Sequence, residues 1–222
     1  MERVGLWFDR LDVGDGEMAA LAATLSAEEQ AQAGRYRYAL HRRRFVVRRA
    51  RLRAWAGARL GVAPRAVEVL HDAHGKPAVI GLEGHFNASH SGELMLIAAA
   101  AVPLGCDIER IDAGIDWRPI ADRLFAPEER TALAPLNDAD GRTAFFRVWT
   151  RKEAFVKAIG AGLAFPLDAF AVGVEADPRL LRGGAGWSIA ALPLADHACA
   201  VVAQTEAPLA LEIVHDGLRE AG

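Results

Sequence analysis

Residues 94–111 read LMLIAAAAVPLGCDIERI. Two apolar runs, Leu94 to Val102 and Leu104 to Ile111, flank Pro103, which cannot donate to a ladder and breaks the chain between them. Each run has the length of a buried strand. The longest uncharged apolar stretch, Leu94 to Leu104, is too short for a bilayer, which needs about 18 or more such residues. On the N-terminal side, Val4 to Phe8 reads as a strand. Ser26 with Glu29 forms a helix-start signature, and Phe45, Leu52, Ala56 and Leu60 recur at helical spacing over about 40–60 before Gly61 and Pro64. Val67 to Leu70 reads as a strand and Gly75-Lys76-Pro77 as a turn.

On the C-terminal side, helices are expected at Asp116 to Arg123, at Pro127 to Leu133 with proline in the first turn, and from Thr143, after Gly141, to Ile159. Strands are expected at 170–174, 187–191, 198–203 and 209–214. Helices and strands interleave in both halves, which makes the fold class α+β. Pro103 is the natural seam, giving halves 1–103 and 104–222.

Composition bounds the function. The chain has 222 residues, 52% hydrophobic and 25% charged, with a net charge of −3. That is a globular balance with enough apolar side chain for a core, not a disordered chain. The start lacks the apolar core of a signal peptide. Cys106 and Cys199 are too few for a disulfide framework or a cysteine-rich zinc site, so a reducing cytoplasm is the expected location. Nine arginines between Arg35 and Arg53, with no acid among them, suggest a local anionic ligand; a solvated helix face explains them equally well.

Three clusters carry the chemistry. In Gly105-Cys106-Asp107-Ile108-Glu109, strand alternation turns Asp107 and Glu109 the same way, about 7 Å apart. Paired carboxylates on an apolar strand repel and resist desolvation, and a hard cation such as Mg²⁺ relieves both; an acidic pair facing solvent is the alternative. In the helix 145–159, Trp149, Glu153 and Lys157 are spaced by four and share a face, so Glu153 can be a third carboxylate and Lys157 can reach a phosphate; an exposed Glu–Lys pair is the plainer alternative. In Phe86-Asn87-Ala88-Ser89-His90-Ser91, a polar segment entering the strand at Leu94, Ser89 and His90 can donate to phosphate oxygens. The other histidines (41, 71, 74, 85, 197 and 215) show no zinc-type spacing. No Gly-x-Ser-x-Gly elbow or Walker loop is present. The pattern is a metal–phosphate site whose nucleophile comes from outside.

These clusters in order, with Gly75-Lys76-Pro77 before the first and Gly160-Ala161-Gly162-Leu163 after the last, resemble the Sfp-type 4′-phosphopantetheinyl transferases. The resemblance spans nearly the whole chain. It implies two similar α/β halves with coenzyme A in the cleft between them. It also implies transfer of phosphopantetheine to a serine of an apo acyl- or peptidyl-carrier protein, with adenosine 3′,5′-bisphosphate leaving.

By resemblance, Asp107, Glu109 and Glu153 are the Mg²⁺ ligands. Glu153 is also the base for the serine. Lys157 and His90 touch phosphate beside Ser89. Gly75, Lys76 and Pro77 line the adenine nucleotide, and Arg44 lies near the 3′-phosphate. The sequence departs from the family at Glu28-Glu29-Gln30-Ala31-Gln32, where the best-known members carry lysines.

The expected partners are carrier proteins, with no nucleic acid and no membrane, and the expected state is a monomer. A metal-dependent phosphohydrolase and a non-catalytic coenzyme A-binding module are the rival readings. The segment Ile111 to Phe125, with Ile115, Trp117, Ile120, Leu124 and Phe125, is expected to expose at least two of these five side chains to the carrier protein.

Overall fold

The computed structural model describes residues 1–71, 75–162 and 164–218; His74 and Leu163 lie outside them. The elements, in order, are β1 (Glu2–Arg10), α1 (Asp15–Ala22), α2 (Ala27–Gly34), α3 (Ala39–Leu60), β2 (Val69–His71), β3 (Pro77–Val79), β4 (His85–Ser91), β5 (Leu94–Ala100), β6 (Leu104–Arg110), α4 (Trp117–Leu124), α5 (Pro127–Leu133), α6 (Asp138–Ile159), β7 (Ala171–Val172), β8 (Leu180–Arg182), β9 (Ser188–Ala191), β10 (His197–Ala203) and β11 (Leu209–Asp216). The fold is mixed α/β.

The chain forms two compact units. One takes the described residues among 1–7, 84–92 and 96–214; the other takes those among 8–83, 93–95 and 215–222. A four-stranded sheet runs β11-β1-β5-β4, and a three-stranded sheet runs β6-β10-β9. In the latter, β10 pairs antiparallel with β6, placing Ala198 opposite Glu109 and Ala200 opposite Asp107. The core of this unit is built on α6, with Phe145, Phe155, Phe170 and Val202 buried together.

The two halves of the sequence repeat one construction. Each has a short helix whose third residue is a buried glutamate and a 22-residue helix ending on a left-handed glycine, Gly61 or Gly160. In the first half, Ser26 and Glu29 make the reciprocal capping box, and Glu29 pairs with buried Arg53 at 2.6 Å. Arg53 also donates to the carbonyls of Pro64 and Val67. In the second half, Glu129 pairs with fully buried Lys152 at 2.8 Å. Lys152 gives its other protons to the carbonyls of Leu167 and Phe170, so all three ammonium donors are satisfied. Glu129 also accepts the amides of Ala126 and Val172. Each cation thus ties a capped helix to the one-turn helix that follows α3 or α6.

Several sequence expectations are corrected. The long helix starts at Asp138, not Thr143, capped by Asn137, whose side chain accepts the Asp140 amide. Gly141 is a packing glycine rather than a boundary: a Cβ there would lie 2.3 Å from the Trp117 ring. The polar segment 86–91 is itself a strand, β4. The helix α1, whose Met18, Leu21 and Ala22 pack against the core around Phe45, was not anticipated.

The Ile111 to Phe125 surface is overturned. None of its five side chains is exposed: Trp117 and Phe125 are 2% exposed, while Ile115, Ile120 and Leu124 pack against the α6 core. Gly141 on α6 leaves room for the Trp117 ring.

Removing one partner of a buried ion pair strands the other, at a cost of about 3–5 kcal/mol. Lys152→Met should lower unfolding stability by about 3 kcal/mol in urea titration, and adding Glu129→Gln should recover part of the loss. An unchanged midpoint for the single variant would show that the pair does not hold the second half together.

Candidate active site

The position of α6 on β6 is set by Gly105. A Cβ on Gly105 would stand 2.2 Å from the Ala154 carbonyl oxygen and 2.4 Å from the Ala158 nitrogen, so only glycine lets the helix backbone lie on the strand. Two residues further along the same face, Asp107 is 2% exposed. Lys157, one turn beyond Glu153 on the helix, brings Nζ to 2.5 Å from Asp107 Oδ1. Ser89 closes the triangle: its hydroxyl donates to Oδ1 at 2.7 Å and accepts from Lys157 at 3.0 Å.

Side chains from β4 reach β6 in a repeating pattern. Asn87 Oδ1 accepts the Cys106 amide at 2.9 Å, and the Ser91 hydroxyl donates to Glu109 Oε2 at 2.6 Å while accepting the Arg110 amide. The constant offset between partners means that β4 and β6 run in the same direction. Asn87 and Ser91 were given no role from sequence; the alternation of Asn87, Ser89 and Ser91 was the available signal.

Electrostatics follow from burial. Desolvation pushes the Asp107 carboxyl above its ordinary range, only partly countered by Lys157. Lys157 is itself desolvated, but Asp107 more than compensates and its ammonium holds its proton more tightly. Burial raises Glu109 and Glu153, and the Asp107 charge adds to both. The three carboxylates therefore share one electrostatic neighbourhood. Trp149, Glu153 and Lys157 form a half-exposed stripe on α6, as their spacing predicts.

Asp107 Oδ2 is buried and meets no hydrogen-bond donor among the described residues. A buried carboxylate oxygen without a donor is costly and suits a hard cation. No three His, Cys, Asp or Glu side chains among the described residues converge closely enough to hold an ion by themselves. Mg²⁺ commonly takes one or two carboxylates and completes its shell with water and substrate phosphates. The residues present fit the metal on these terms.

His90 is exposed on β4, and its neighbours Ser89 and Ser91 turn the other way. Arg44, Gly75, Lys76 and Pro77 belong to the other unit. Arg44 forks Asp12 at 2.7 and 2.6 Å and holds that carboxyl below its usual range. Gly75 has a φ of 80° and Pro77 opens β3.

Much of the arginine block is neutralised at home: Arg43 pairs with Asp15, Arg51 with Asp9 and Glu17, and Arg53 with Glu29. These acids precede the block, so reading residues 35–53 alone overstated its free charge. Arg35, Arg37 and Arg42 are exposed.

Two family descriptions cover the chain: the N-terminal part of a 4′-phosphopantetheinyl transferase matches residues 14–102, and the 4′-phosphopantetheinyl transferase superfamily matches residues 103–202. The 4′-phosphopantetheinyl transferase HetI of Nostoc sp. (strain PCC 7120 / SAG 25.82 / UTEX 2576) is 37% identical over 209 residues, covering 91% of this chain and 87% of HetI. The chain belongs to the 4′-phosphopantetheinyl transferase family. A second family member, from Bacillus subtilis, is 32% identical and covers 80% of this chain and 78% of its own length. The transferase Sfp of Bacillus subtilis (strain 168) is 35% identical over 112 residues, 48% of this chain and 47% of Sfp.

For this transferase, the charge crowding has a measurable sign. The Glu153 carboxyl binds its proton more tightly in the folded than in the unfolded chain, so wild-type stability falls as pH rises from about 4.5 through the raised folded value. Glu153→Gln removes that cost. In chelator-treated protein the variant should melt higher than wild type at pH 7.5, and the gain should vanish below pH 4. A gain of the same size at both pH values would contradict the charge assignment.

Proposed function

We propose that this chain is an Sfp-type transferase that moves 4′-phosphopantetheine from coenzyme A to a serine hydroxyl of an apo acyl- or peptidyl-carrier protein. The observation that carries the reading is Asp107. Its buried, partnerless Oδ2 sits beside Lys157 and within the electrostatic reach of Glu109 and Glu153, a cradle for a cation and a phosphate. Family membership supplies the reaction class. Neither cysteine serves as a nucleophile, because Cys106 and Cys199 are buried and burial pushes the Cys199 thiol well up.

In this reading the serine oxygen bonds to the β-phosphorus of coenzyme A. The bond from that phosphorus to the bridging oxygen breaks, and adenosine 3′,5′-bisphosphate leaves with the electron pair. Glu153 takes the serine proton. Asp107, with Glu109 and Glu153 close by, would hold Mg²⁺, its shell completed by water and substrate phosphates because the three carboxylates do not converge by themselves among the described residues; when bound it would offset the charge of the pyrophosphate. Lys157 and Ser89 orient phosphate oxygens beside Asp107, and His90 contacts phosphate from the other face of β4. Arg44, Gly75, Lys76 and Pro77 hold the nucleotide, with Arg44 exchanging Asp12 for the 3′-phosphate.

Residues 1–103 bind the nucleotide and residues 104–222 carry the metal site, with coenzyme A in the cleft between the halves. On this reading the enzyme acts as a cytoplasmic monomer on carrier proteins.

Intact mass spectrometry of an apo-carrier protein incubated with coenzyme A and Mg²⁺ tests the reading. The carrier should gain one phosphopantetheine for each coenzyme A consumed. Coenzyme A loss without an acceptor would establish a phosphohydrolase instead, and binding without loss a binding module. Arg44→Ala should weaken coenzyme A about ten- to a hundredfold, the loss of one charge-assisted contact, and leave 3′-dephospho-coenzyme A unchanged. Equal weakening of both would move the 3′-phosphate contact elsewhere.

A further inference from the structure

On α6, one turn before Arg151, a cavity of about 420 Å³ opens between the helix and the chain joining β9 to β10. Its lining includes Thr143, Arg147 and Arg151 from the helix, Leu192 and Leu194 from the connection, and His197 from β10. The volume lies in the range of small-molecule sites. It is lined by a different side of α6 from the Trp149–Glu153–Lys157 stripe.

Arg147 is the unusual member of this lining. Its helix neighbours each have a partner: Arg142 pairs with Asp138 through one terminal nitrogen, and Arg151 donates to the carbonyls of Gly173 and Ala176. Arg147 is half-buried and meets neither a carboxylate nor a carbonyl among the described residues. Burial pushes the Arg151 guanidinium down to about 10, and the charge of Arg147 nearby adds to the shift. Glu175 and Asp177 offset the charge of Arg151. Thr143 and Thr150 spend their hydroxyl protons on the helix carbonyls of Ala139 and Phe146, and Arg147 brings a guanidinium fork to the lining.

We propose that this cavity binds a small amphiphilic carboxylate, with the carboxylate forked by Arg147 and a short hydrocarbon body against Leu192 and Leu194. A guanidinium presents paired donors that match a carboxylate, and the aliphatic side chains opposite offer apolar surface that inorganic anions cannot use. The site is separate from the carboxylate cluster of β6 and does not depend on the transferase reading.

Isothermal titration of the whole protein with hexanoate, hexanamide and inorganic phosphate, at fixed ionic strength, tests it. Hexanoate should bind once per chain. Arg147→Gln should weaken it about tenfold or more, and Arg147→Lys by less. Coenzyme A affinity should be unchanged in both. Hexanamide and phosphate should each bind much more weakly than hexanoate. Should Arg147→Gln fail to fold, Leu194→Glu in the connection should abolish hexanoate binding in its place. The proposal is overturned by any of these: no saturable hexanoate binding, equal binding to wild type and a folded Arg147→Gln variant, hexanamide binding as tightly as hexanoate, or phosphate binding as tightly as hexanoate.

Discussion

The backbone of α6 rests on β6 at Gly105, where a methyl group would stand 2.2 Å from a helix carbonyl oxygen. The remaining geometry of the candidate site follows from that contact. With the helix this close, Lys157 reaches a carboxylate that is 2% exposed, and Glu153 comes near enough to feel the same charge. A helix held farther away by an alanine would leave Asp107 buried without its cation, the most expensive state for a carboxylate. The strand supplies the carboxylates and the helix supplies both a counter-charge and a third acid. Ser89 and Ser91 on β4 fix the rotamers of Asp107 and Glu109 through hydroxyl donors.

Each half of the chain is tied by a buried ion pair, Glu29–Arg53 and Glu129–Lys152. Such pairs add little net stability compared with apolar residues of similar volume. What they fix here is position: each cation also binds two backbone carbonyls after its long helix. In the second half this anchors the chain that follows α6, and with it the helix that carries Glu153 and Lys157. The repeated construction makes a chain of two similar halves.

Much of this was legible in the sequence because it rested on period. The two-residue alternation put Asp107 and Glu109 on one face, and the four-residue spacing aligned Trp149, Glu153 and Lys157. The Ser26–Glu29 capping signature also held. Where sequence reasoning failed, long-range contacts decided. Gly141 looked like a helix boundary, but it faces a tryptophan 24 residues earlier in the chain. The segment Ile111 to Phe125 looked too apolar for one helix face, but α6 buries it. The arginines of 35–53 looked unopposed, but their acids stand at Asp9, Asp12, Asp15, Glu17 and Glu29. β4 was hidden because its inward side chains are Asn and Ser, polar residues whose partners lie on β6.

The account depends on Asp107 being held for a cation, with Lys157 balancing one oxygen and the other left open. Electron paramagnetic resonance of Mn²⁺, used in place of Mg²⁺ and titrated into the protein with saturating coenzyme A, reads this directly. The account predicts one bound Mn²⁺ per chain in the wild type and its loss in Asp107→Asn, with coenzyme A still bound and the fold intact. Equal Mn²⁺ binding by both proteins would contradict it.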